Sequence, residues 1–210
     1  MKTLAILGGS FDPVHWGHIH IAEAVMQHFQ FDELTFLPCR LPALKGQTHS
    51  ADVHRLAMLK LALADFPQWT INLSEMQRST PSYMVDTLDI LKELRPDWSL
   101  VLIVGMDAFV DLPRWHRWQH LLDKAKLLVV SRPDYELNLA PELADFVKNH
   151  QANSKKQFVK SEQGSIYFYN AGLYPVSSTA IRTLIGDSKG LGEYLPKTVI
   201  EYIQQNKLYS

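Results

Sequence analysis

The sequence has little cysteine, no excess of charge of either sign and no long hydrophobic run. Its 210 residues include one cysteine, Cys39, which excludes an intrachain disulfide framework or a cysteine-rich zinc site and favours a reducing, cytoplasmic compartment. The net charge of −1 argues against a nucleic-acid or anionic-membrane binder held by bulk electrostatics. The most apolar run, 100–110, is broken by Asp107 and is shorter than the roughly 18 residues that a membrane span requires. A soluble protein with neither nucleic acid nor membrane as a partner is therefore expected.

Apolar residues make up 46% of the chain, which is enough to bury a sizeable core in one domain spanning 1–210. Short apolar runs, often β-branched, predict six strands at 3–7, 34–37, 70–73, 100–104, 127–130 and 166–169. Helical periodicity predicts helices near 18–29, 52–65, 83–94, 140–149, 178–185 and 197–205. This alternation indicates an α/β fold, a doubly wound, Rossmann-like parallel sheet with a small C-terminal helical portion at about 177–210. The polar segment 148–164 is expected to be an exposed loop.

The loop after the first predicted strand carries the first candidate site. In an open parallel sheet, ligands bind beyond the carboxyl ends of the strands. Gly8 and Gly9 would let the backbone approach a bulky anion, Ser10 adds a hydroxyl donor, and the following helix directs its positive end to the same place. The spacing matches neither the Gly-x-Gly-x-x-Gly fingerprint nor the P-loop pattern. A dinucleotide dehydrogenase and a P-loop hydrolase are therefore disfavoured.

Two histidines follow in the same loop. His15 and His18 are three residues apart, which places them on one side of the first helical turn, with Gly17 leaving a gap between them. Two imidazoles in this position could donate hydrogen bonds to phosphate oxygens. The alternative is that His18 only extends the apolar stripe of the helix into the core.

A second candidate anion site lies near the other end of the chain. Ser177, Ser178 and Thr179 open a helix as N-cap candidates, and Arg182 lies on the following turn. Hydroxyl groups, main-chain N–H groups and a guanidinium would then converge on one anion. The alternative is an ordinary helix cap that binds nothing.

These motifs together resemble a known family. The run Gly-Ser-Phe-Asp-Pro-Val-His-Trp-Gly-His at 9–18 is similar to the signature of the nucleotidyltransferase superfamily with a His-x-Gly-His box, and Val-Ser-Ser-Thr-Ala-Ile-Arg at 176–182 is similar to its second phosphate motif. The resemblance implies adenylyl transfer from ATP, with His15, His18 and Arg182 as catalytic residues. It further implies that ATP is bound by Gly8, Gly9, Ser10, Phe11, His15, Gly17, His18, Gly105, Asp107, Ser177, Ser178, Thr179 and Arg182.

The middle of the chain bears on the acceptor. The stretches 80–88 and 105–116 resemble motifs of the bacterial adenylyltransferases that act on nicotinate mononucleotide. The resemblance implies that Trp115 stacks on the pyridine ring and that main-chain N–H groups near Met84 and His116 bind the carboxylate. This agrees with the preference of a cationic pyridinium for an indole face.

Three further residues are given roles by the resemblance, each with a plainer alternative. Lys45 is a candidate phosphate ligand, together with Ser10 on the substrate side, or else a solvated loop lysine. Asp107 is a candidate acceptor for a ribose hydroxyl or a helix N-cap. Arg132 lines the adenine or triphosphate region or is a surface arginine.

The expected reaction joins ATP and nicotinate mononucleotide to give nicotinate adenine dinucleotide and pyrophosphate, a step in making NAD. No His and carboxylate cluster has transition-metal spacing, so the expected cofactor is Mg²⁺ carried mainly by the phosphates of ATP. Nicotinamide mononucleotide and 4′-phosphopantetheine remain alternative acceptors, and a catalytically silent nucleotide-binding module remains an alternative function. The sequence leaves the oligomeric state and the strictness of the acid preference open.

Overall fold

Six parallel strands form one sheet at the centre of the molecule. The computed structural model describes residues 1–42, 44, 48–131, 139–172, 176–187 and 190–209, with only the backbone of 186 and 187. The strands are β1 Thr3–Gly9, β2 Glu33–Pro38, β3 Thr70–Ile71, β4 Ser99–Gly105, β5 Lys126–Ser131 and β6 Ile166–Asn170. Their order across the sheet is β3-β2-β1-β4-β5-β6. All six predicted strands are present, although β3 is shorter than its apolar run.

Helices connect the strands. The α-helices of the described residues are α1 Trp16–Phe29, α2 Asp52–Ala62, α3 Met84–Leu94, α4 Met106–Val110, α5 Pro141–His150, α6 Lys155–Lys160, α7 Ser178–Asp187 and α8 Lys197–Gln205. Short 3₁₀ helices lie at Leu112–Arg114, Trp118–Leu121 and Leu191–Glu193. Not one of the described helices is long and apolar enough to cross a bilayer.

The strand order creates a crevice at one point of the sheet. The chain proceeds from β1 to β2 and β3 on one side, then returns to place β4 on the other side of β1. β1 and β4 pair in parallel with Leu7 opposite Ile103, so the loops that follow them diverge. Such a switch point is where doubly wound sheets bind ligands. The predicted doubly wound, Rossmann-like fold is confirmed.

The sheet is buried on both faces, which explains why its strands are apolar throughout. Along β1, Ala5 and Leu7 belong to one core cluster, whereas Leu4 and Ile6 belong to the cluster on the opposite face. Successive side chains of a strand point to opposite faces, so a sheet covered on both sides needs apolar residues at every position.

The expectation of an exposed loop over 148–164 is wrong. α5 continues to His150, and α6 follows within the same segment. Ser154 caps α6 by accepting a hydrogen bond from the main-chain N–H of Gln157 at 3.2 Å. Phe158 is fully buried and anchors this short helix, whose other apolar residue, Val159, is exposed.

The C-terminal helices share the core of the sheet. Ile181 of α7 and Val199 and Ile203 of α8 are buried in the same cluster as the β1 side chains Ala5 and Leu7. α8 also packs against α2. The region after 177 therefore closes over one face of the sheet and reaches the loop that follows β1.

Candidate active site

A cleft of about 740 Å³ opens at the carboxyl ends of β1 and β4. It lies at the switch point of the sheet. It brings together most of the residues that the sequence singled out. The predicted residues that line it are Gly8, Gly9, Ser10, His15, Gly17, His18, Met84, Gly105, Asp107, Trp115, His116, Ser177, Ser178, Thr179 and Arg182. Lys45 and Arg132 lie outside the described residues.

The rings of the two histidines pack against each other at the start of α1. Their ring centroids are 3.7 Å apart and the planes differ by 31°. The three-residue spacing of His15 and His18 predicted that both side chains would lie on one side of the first helical turn, as they do. The apolar stripe of α1 begins at Ile19, and His18 is only half-buried and lines the cleft. His18 therefore lies at the edge of the cleft, beside the buried stripe of α1 rather than within it.

The orientation of His18 is fixed by its neighbours. The main-chain N–H of His15 donates to Nδ1 of His18 at 3.2 Å. A neutral His18 consequently carries its ring proton on Nε2, which makes that nitrogen a donor. The Phe11 ring packs against the imidazole edge-on, with centroids 5.0 Å apart. The Phe11 side chain is buried and, unlike the other predicted ATP-binding residues, does not line the cleft, so its contribution is to support His18.

Two glycines make room for this arrangement. A Cβ at Gly17 would lie 3.0 Å from the ring of His15 and 3.1 Å from Val176. A Cβ at Gly8 would lie 3.2 Å from the terminal methyl of Met84. Side chains at these positions would displace the histidine and narrow the cleft between β1 and α3.

His15 is a buried polar residue with one ring nitrogen that lacks a hydrogen-bond partner in the described structure. Its residue is 6% exposed, and within the described structure its Nδ1 has no hydrogen-bond partner. Burial lowers the pKa of His15 to about 4, so the imidazole is neutral at neutral pH. A buried polar atom without a partner costs free energy unless a ligand or water satisfies it. Its position beside the cleft suits an anionic ligand.

The start of α7 docks on the loop that contains these histidines. Ser177 caps the helix by accepting a hydrogen bond from the main-chain N–H of Ala180 at 3.2 Å. The hydroxyl of Ser178 donates to the carbonyl oxygen of Pro13 at 3.0 Å. Arg182 donates through Nη1 to the carbonyl oxygen of Asp12 at 2.8 Å. The two predicted phosphate motifs, from opposite ends of the chain, therefore form one surface.

Thr179, another of the thirteen positions predicted to bind ATP, contacts the Arg182 guanidinium, which also contacts Asp12. Nη2 of Arg182 donates to the Thr179 hydroxyl at 3.0 Å. The predicted convergence of hydroxyl and guanidinium on the first turns of α7 is thus present. Both groups line the cleft.

The opposite end of the cleft is aromatic. Trp115 is half-buried after the first 3₁₀ helix, and the ring of His116 packs against that of Tyr83 with centroids 4.3 Å apart. Met84 is the first residue of α3, so its main-chain N–H belongs to the first turn, where helices leave such groups without intrahelical partners. Asp107 is exposed on the first turn of α4, and Gly105, rather than Asp107, occupies the N-cap position.

Sequence reasoning missed four supporting residues. The first is Arg55, which is fully buried on α2 and donates through Nη1 to the carbonyl oxygen of Ser10 at 2.6 Å. The sequence feature that could have identified Arg55 is a charged residue on the buried face of the helix predicted near 52–65.

Glu75 is the second missed residue. It is 1% exposed, lines the cleft, and accepts a hydrogen bond from Thr87 of α3 at 2.7 Å. Burial raises the pKa of Glu75, and hydrogen bonds from Thr87 and Ser82 and the charge of Arg78 oppose that rise. This network fixes the segment that leads into α3. The other two missed residues, Asp12 and Tyr209, interact with each other across almost the whole chain.

The donor set of the cleft suits an anion and lacks a metal cage. Among the described residues, no three His, Cys, Asp or Glu side chains are grouped to hold a metal ion. The Asp12 carboxylate accepts hydrogen bonds at both of its oxygens, from the main-chain N–H groups of His49 and Ser50 and from the hydroxyl of Tyr209. Mg²⁺ prefers several oxygen ligands and retains waters.

Comparisons with known proteins agree with the geometry of the cleft. The cytidylyltransferase-like family model matches residues 6–184. A Legionella pneumophila (strain Lens) protein named probable nicotinate-nucleotide adenylyltransferase is 40% identical over 210 residues, which cover 100% of both chains. A Marinomonas protein of the same name is 38% identical over 100% of this chain and 95% of its own length.

Solved structures share the fold. A Plasmodium falciparum nicotinic acid mononucleotide adenylyltransferase, solved in complex with NaAD, superposes with a TM-score of 0.75 at 19% identity, covering 100% of this chain and 98% of its own. On the combined strength of the family match and the full-length relatives, the chain belongs to the cytidylyltransferase-like family, among the nicotinate-nucleotide adenylyltransferases.

Proposed function

We propose that this chain transfers the adenylyl group of ATP to nicotinate mononucleotide, giving nicotinate adenine dinucleotide and pyrophosphate in NAD biosynthesis. One observation carries the proposal: the packed pair His15 and His18 and the Arg182 guanidinium, from opposite ends of the chain, line the same cleft as the aromatic residue Trp115. The full-length relatives with this name support the same activity.

The phosphate half of the cleft is assigned to ATP. Hydroxyl groups of Ser10, Ser177 and Thr179, the Nε2 proton of His18 and the planar fork of Arg182 supply donors around one space. The N-termini of α1 and α7 add their positive ends. We assign His15, His18 and Arg182 as the residues that stabilise charge on the transferring and leaving phosphates.

The aromatic half is assigned to the acceptor. Trp115 offers an indole face to the pyridinium ring, since a cation is attracted most strongly by indole. The first turn of α3, at Met84, offers main-chain donors to the nicotinate carboxylate. The main-chain N–H of His116, an exposed residue that lines the same cleft and whose ring packs against Tyr83, is assigned as the second donor.

The reaction needs positioning rather than a general base. An oxygen of the acceptor phosphate is already ionised, so it attacks the α-phosphorus of ATP in line while the bond to the bridging oxygen breaks and pyrophosphate leaves. The protein brings two anionic partners to reacting distance and stabilises the charge that develops on the leaving group. No covalent intermediate is needed, and Cys39 has no role in the step.

We expect Mg²⁺ to reach the cleft bound to the phosphates of ATP. When bound to ATP, Mg²⁺ supplies neutralisation of phosphate charge. The residues of this chain hold the phosphate oxygens through N–H and O–H donors. We place this reaction in a reducing cytoplasmic compartment, as the single cysteine leads us to expect.

Incubation of the purified chain with MgATP and nicotinate mononucleotide tests this function. We expect nicotinate adenine dinucleotide and pyrophosphate to form in equal amounts. A catalytically silent nucleotide-binding module would bind ATP in calorimetry and form neither product. Formation of dephospho-coenzyme A from 4′-phosphopantetheine, with no product from the mononucleotide, would identify the alternative acceptor.

A further inference from the structure

The last residues of the chain return to the phosphate-binding loop. After α8 the chain turns back, with the main-chain N–H of Leu208 donating to the carbonyl oxygen of Ile203 at 3.1 Å. Leu208 and Tyr209 pack against the core beside α1. The hydroxyl of Tyr209 then donates to Oδ1 of Asp12 at 2.6 Å, across 197 residues of sequence.

Asp12 is the centre of this arrangement. The residue is 2% exposed, and its Oδ2 accepts hydrogen bonds from the main-chain N–H groups of His49 at 2.6 Å and Ser50 at 3.4 Å. The carbonyl oxygen of the same residue accepts the hydrogen bond from Arg182 at 2.8 Å. Asp12 is therefore held by its carboxylate and in turn holds Arg182 by its main chain, so a displacement of the Asp12 main chain would move the anchor of the guanidinium that we assign to the ATP phosphates.

The backbone of Tyr209 is constrained to make this contact. Its φ is 64°, in the left-handed region that an aromatic residue rarely adopts. Burial, followed by the hydrogen bond to Asp12, raises the pKa of Tyr209, so its hydroxyl remains protonated and continues to donate. A residue held in this way is over-determined by its surroundings.

We infer that Tyr209 is a positioning residue for the ATP half of the reaction: its hydroxyl fixes the Asp12 carboxylate, and through Asp12 it fixes Arg182. The inference rests on the proposed function. Small displacements of a positioning group are costly because reacting atoms must be held within a narrow range of distances. A merely structural C-terminal strap would instead affect stability and leave nucleotide binding unchanged.

Tyr209→Phe is the test variant, because it removes the hydroxyl and keeps the ring that packs on the core. Tyr202→Phe is the matched control. The Tyr202 hydroxyl lies on α8 of the same C-terminal segment and bonds Nδ1 of His54 at 3.0 Å, joining α8 to α2. We expect both variants to melt a few degrees below the native protein, since each loses one hydrogen bond.

The Michaelis constant for ATP separates positioning from stability. We expect Tyr209→Phe to raise it about threefold to tenfold, the effect of one modest hydrogen bond, while Tyr202→Phe stays within about twofold of native. The Michaelis constant for nicotinate mononucleotide should stay unchanged in both. Since a Michaelis constant does not depend on the amount of folded enzyme, a lower melting temperature cannot mimic this split.

A double variant tests the route through Arg182. Arg182→Ala alone should raise the Michaelis constant for ATP, and Tyr209→Phe added to it should produce no further rise. Equal ATP constants for native and Tyr209→Phe, or full additivity of the two substitutions, would overturn the inference. Calorimetric ATP affinity of the same variants gives this answer even if nicotinate mononucleotide proves to be the wrong acceptor, which would overturn the proposed function instead.

Discussion

At the scale of single residues, His18 is both a capping partner and a candidate phosphate donor. Nδ1 of its ring accepts from the main-chain N–H of His15, and its Nε2 proton is the group assigned to phosphate. We expect His18→Ala to lower kcat by about 10² to 10³, or about 2.7 to 4 kcal/mol, with a smaller effect on ATP affinity. Steady-state kinetics and calorimetry measure the two quantities separately.

His18→Asn separates the two roles of this residue. An Asn carbonyl can still accept the hydrogen bond from His15, as a polar side chain three residues after the cap commonly does, but it does not reach the Nε2 position. The Asn variant should recover melting temperature and not kcat. Near-native kcat in a folded Asn variant would reduce His18 to a capping residue.

His15 predicts a pH dependence of stability. Its pKa is about 4 in the native protein and ordinarily 6.5, so the unfolded chain binds more protons between these values. The free energy of unfolding therefore has its full value above pH 6.5. It decreases as the pH falls from 6.5 through 4, by about 3 kcal/mol in all. His15→Asn, which keeps a good N-cap residue, should lose this part of the pH dependence. Urea unfolding of both proteins at several pH values between 4 and 7.5 measures it, and a constant difference between them would contradict the burial argument.

Trp115 tests the placement of the pyridine ring. Trp115→Ala should weaken nicotinate mononucleotide by about 0.5 to 2 kcal/mol or more and leave ATP affinity nearly unchanged, with Trp115→Phe between native and Ala. Trp98→Ala is a matched control, since Trp98 lies at the amino end of β4 under Arg95 and Lys2, away from the cleft. Unchanged acceptor binding in Trp115→Ala would place the ring elsewhere.

At the scale of secondary-structure elements, the first turn of α3 offers a test of main-chain recognition. Met84→Pro removes one N–H at the first helical position, where proline is well tolerated. Tyr83 before it has φ −82° and ψ 119°, an extended conformation that proline permits. We expect the Pro variant to bind nicotinate mononucleotide about tenfold more weakly, the loss of one hydrogen bond to a charged group.

Met84→Ala is the control for this element, because it removes the same side chain from its contact over Gly8 and keeps the N–H. Equal loss in the Pro and Ala variants would assign recognition to the methionine side chain. Loss in the Pro variant alone, together with a reduced preference for the acid over the amide, would support the helix N-terminus as the carboxylate site.

Elements with a strong local pattern could be predicted from the sequence. The six apolar runs and the start of α1 at its two histidines depend on neighbours within a few residues, and the structure confirms them. α6 was missed because Phe158 is the one buried residue of a short helix that is otherwise polar or, at Val159, exposed. Periodicity needs several apolar positions before it can be detected.

At the scale of the whole molecule, the two ends of the chain build one site. The loop that we propose for the phosphates leads from β1 into α1, and Ser178 of α7 and Tyr209 near the end of the chain both donate hydrogen bonds to it. The shared core of α7, α8 and β1 supports the proposal that 1–210 form one domain. Sequence motifs predicted which two segments would form the site that we propose for phosphate, but the contacts between them could not be predicted.

The supporting contacts that could not be predicted from the sequence join residues that become neighbours only in the folded chain. Nothing near Tyr209 distinguishes it from the other tyrosines, and its partner Asp12 lies 197 residues away. Glu75 and Thr87 are closer in sequence, yet their hydrogen bond forms only because the segment before α3 folds back on the helix. The burial of Phe11 beneath His18 likewise depends on the packing of β2 and α1 around it.

The most direct test of the account compares kcat/KM of the native protein for three acceptors with saturating MgATP. Nicotinate mononucleotide should be used about tenfold or more better than nicotinamide mononucleotide, because a site of N–H donors binds a carboxylate fully and faces the donor half of a carboxamide. 4′-Phosphopantetheine, which has no planar cation for Trp115, should give no product. Equal use of the acid and the amide, or turnover of phosphopantetheine, would contradict the account.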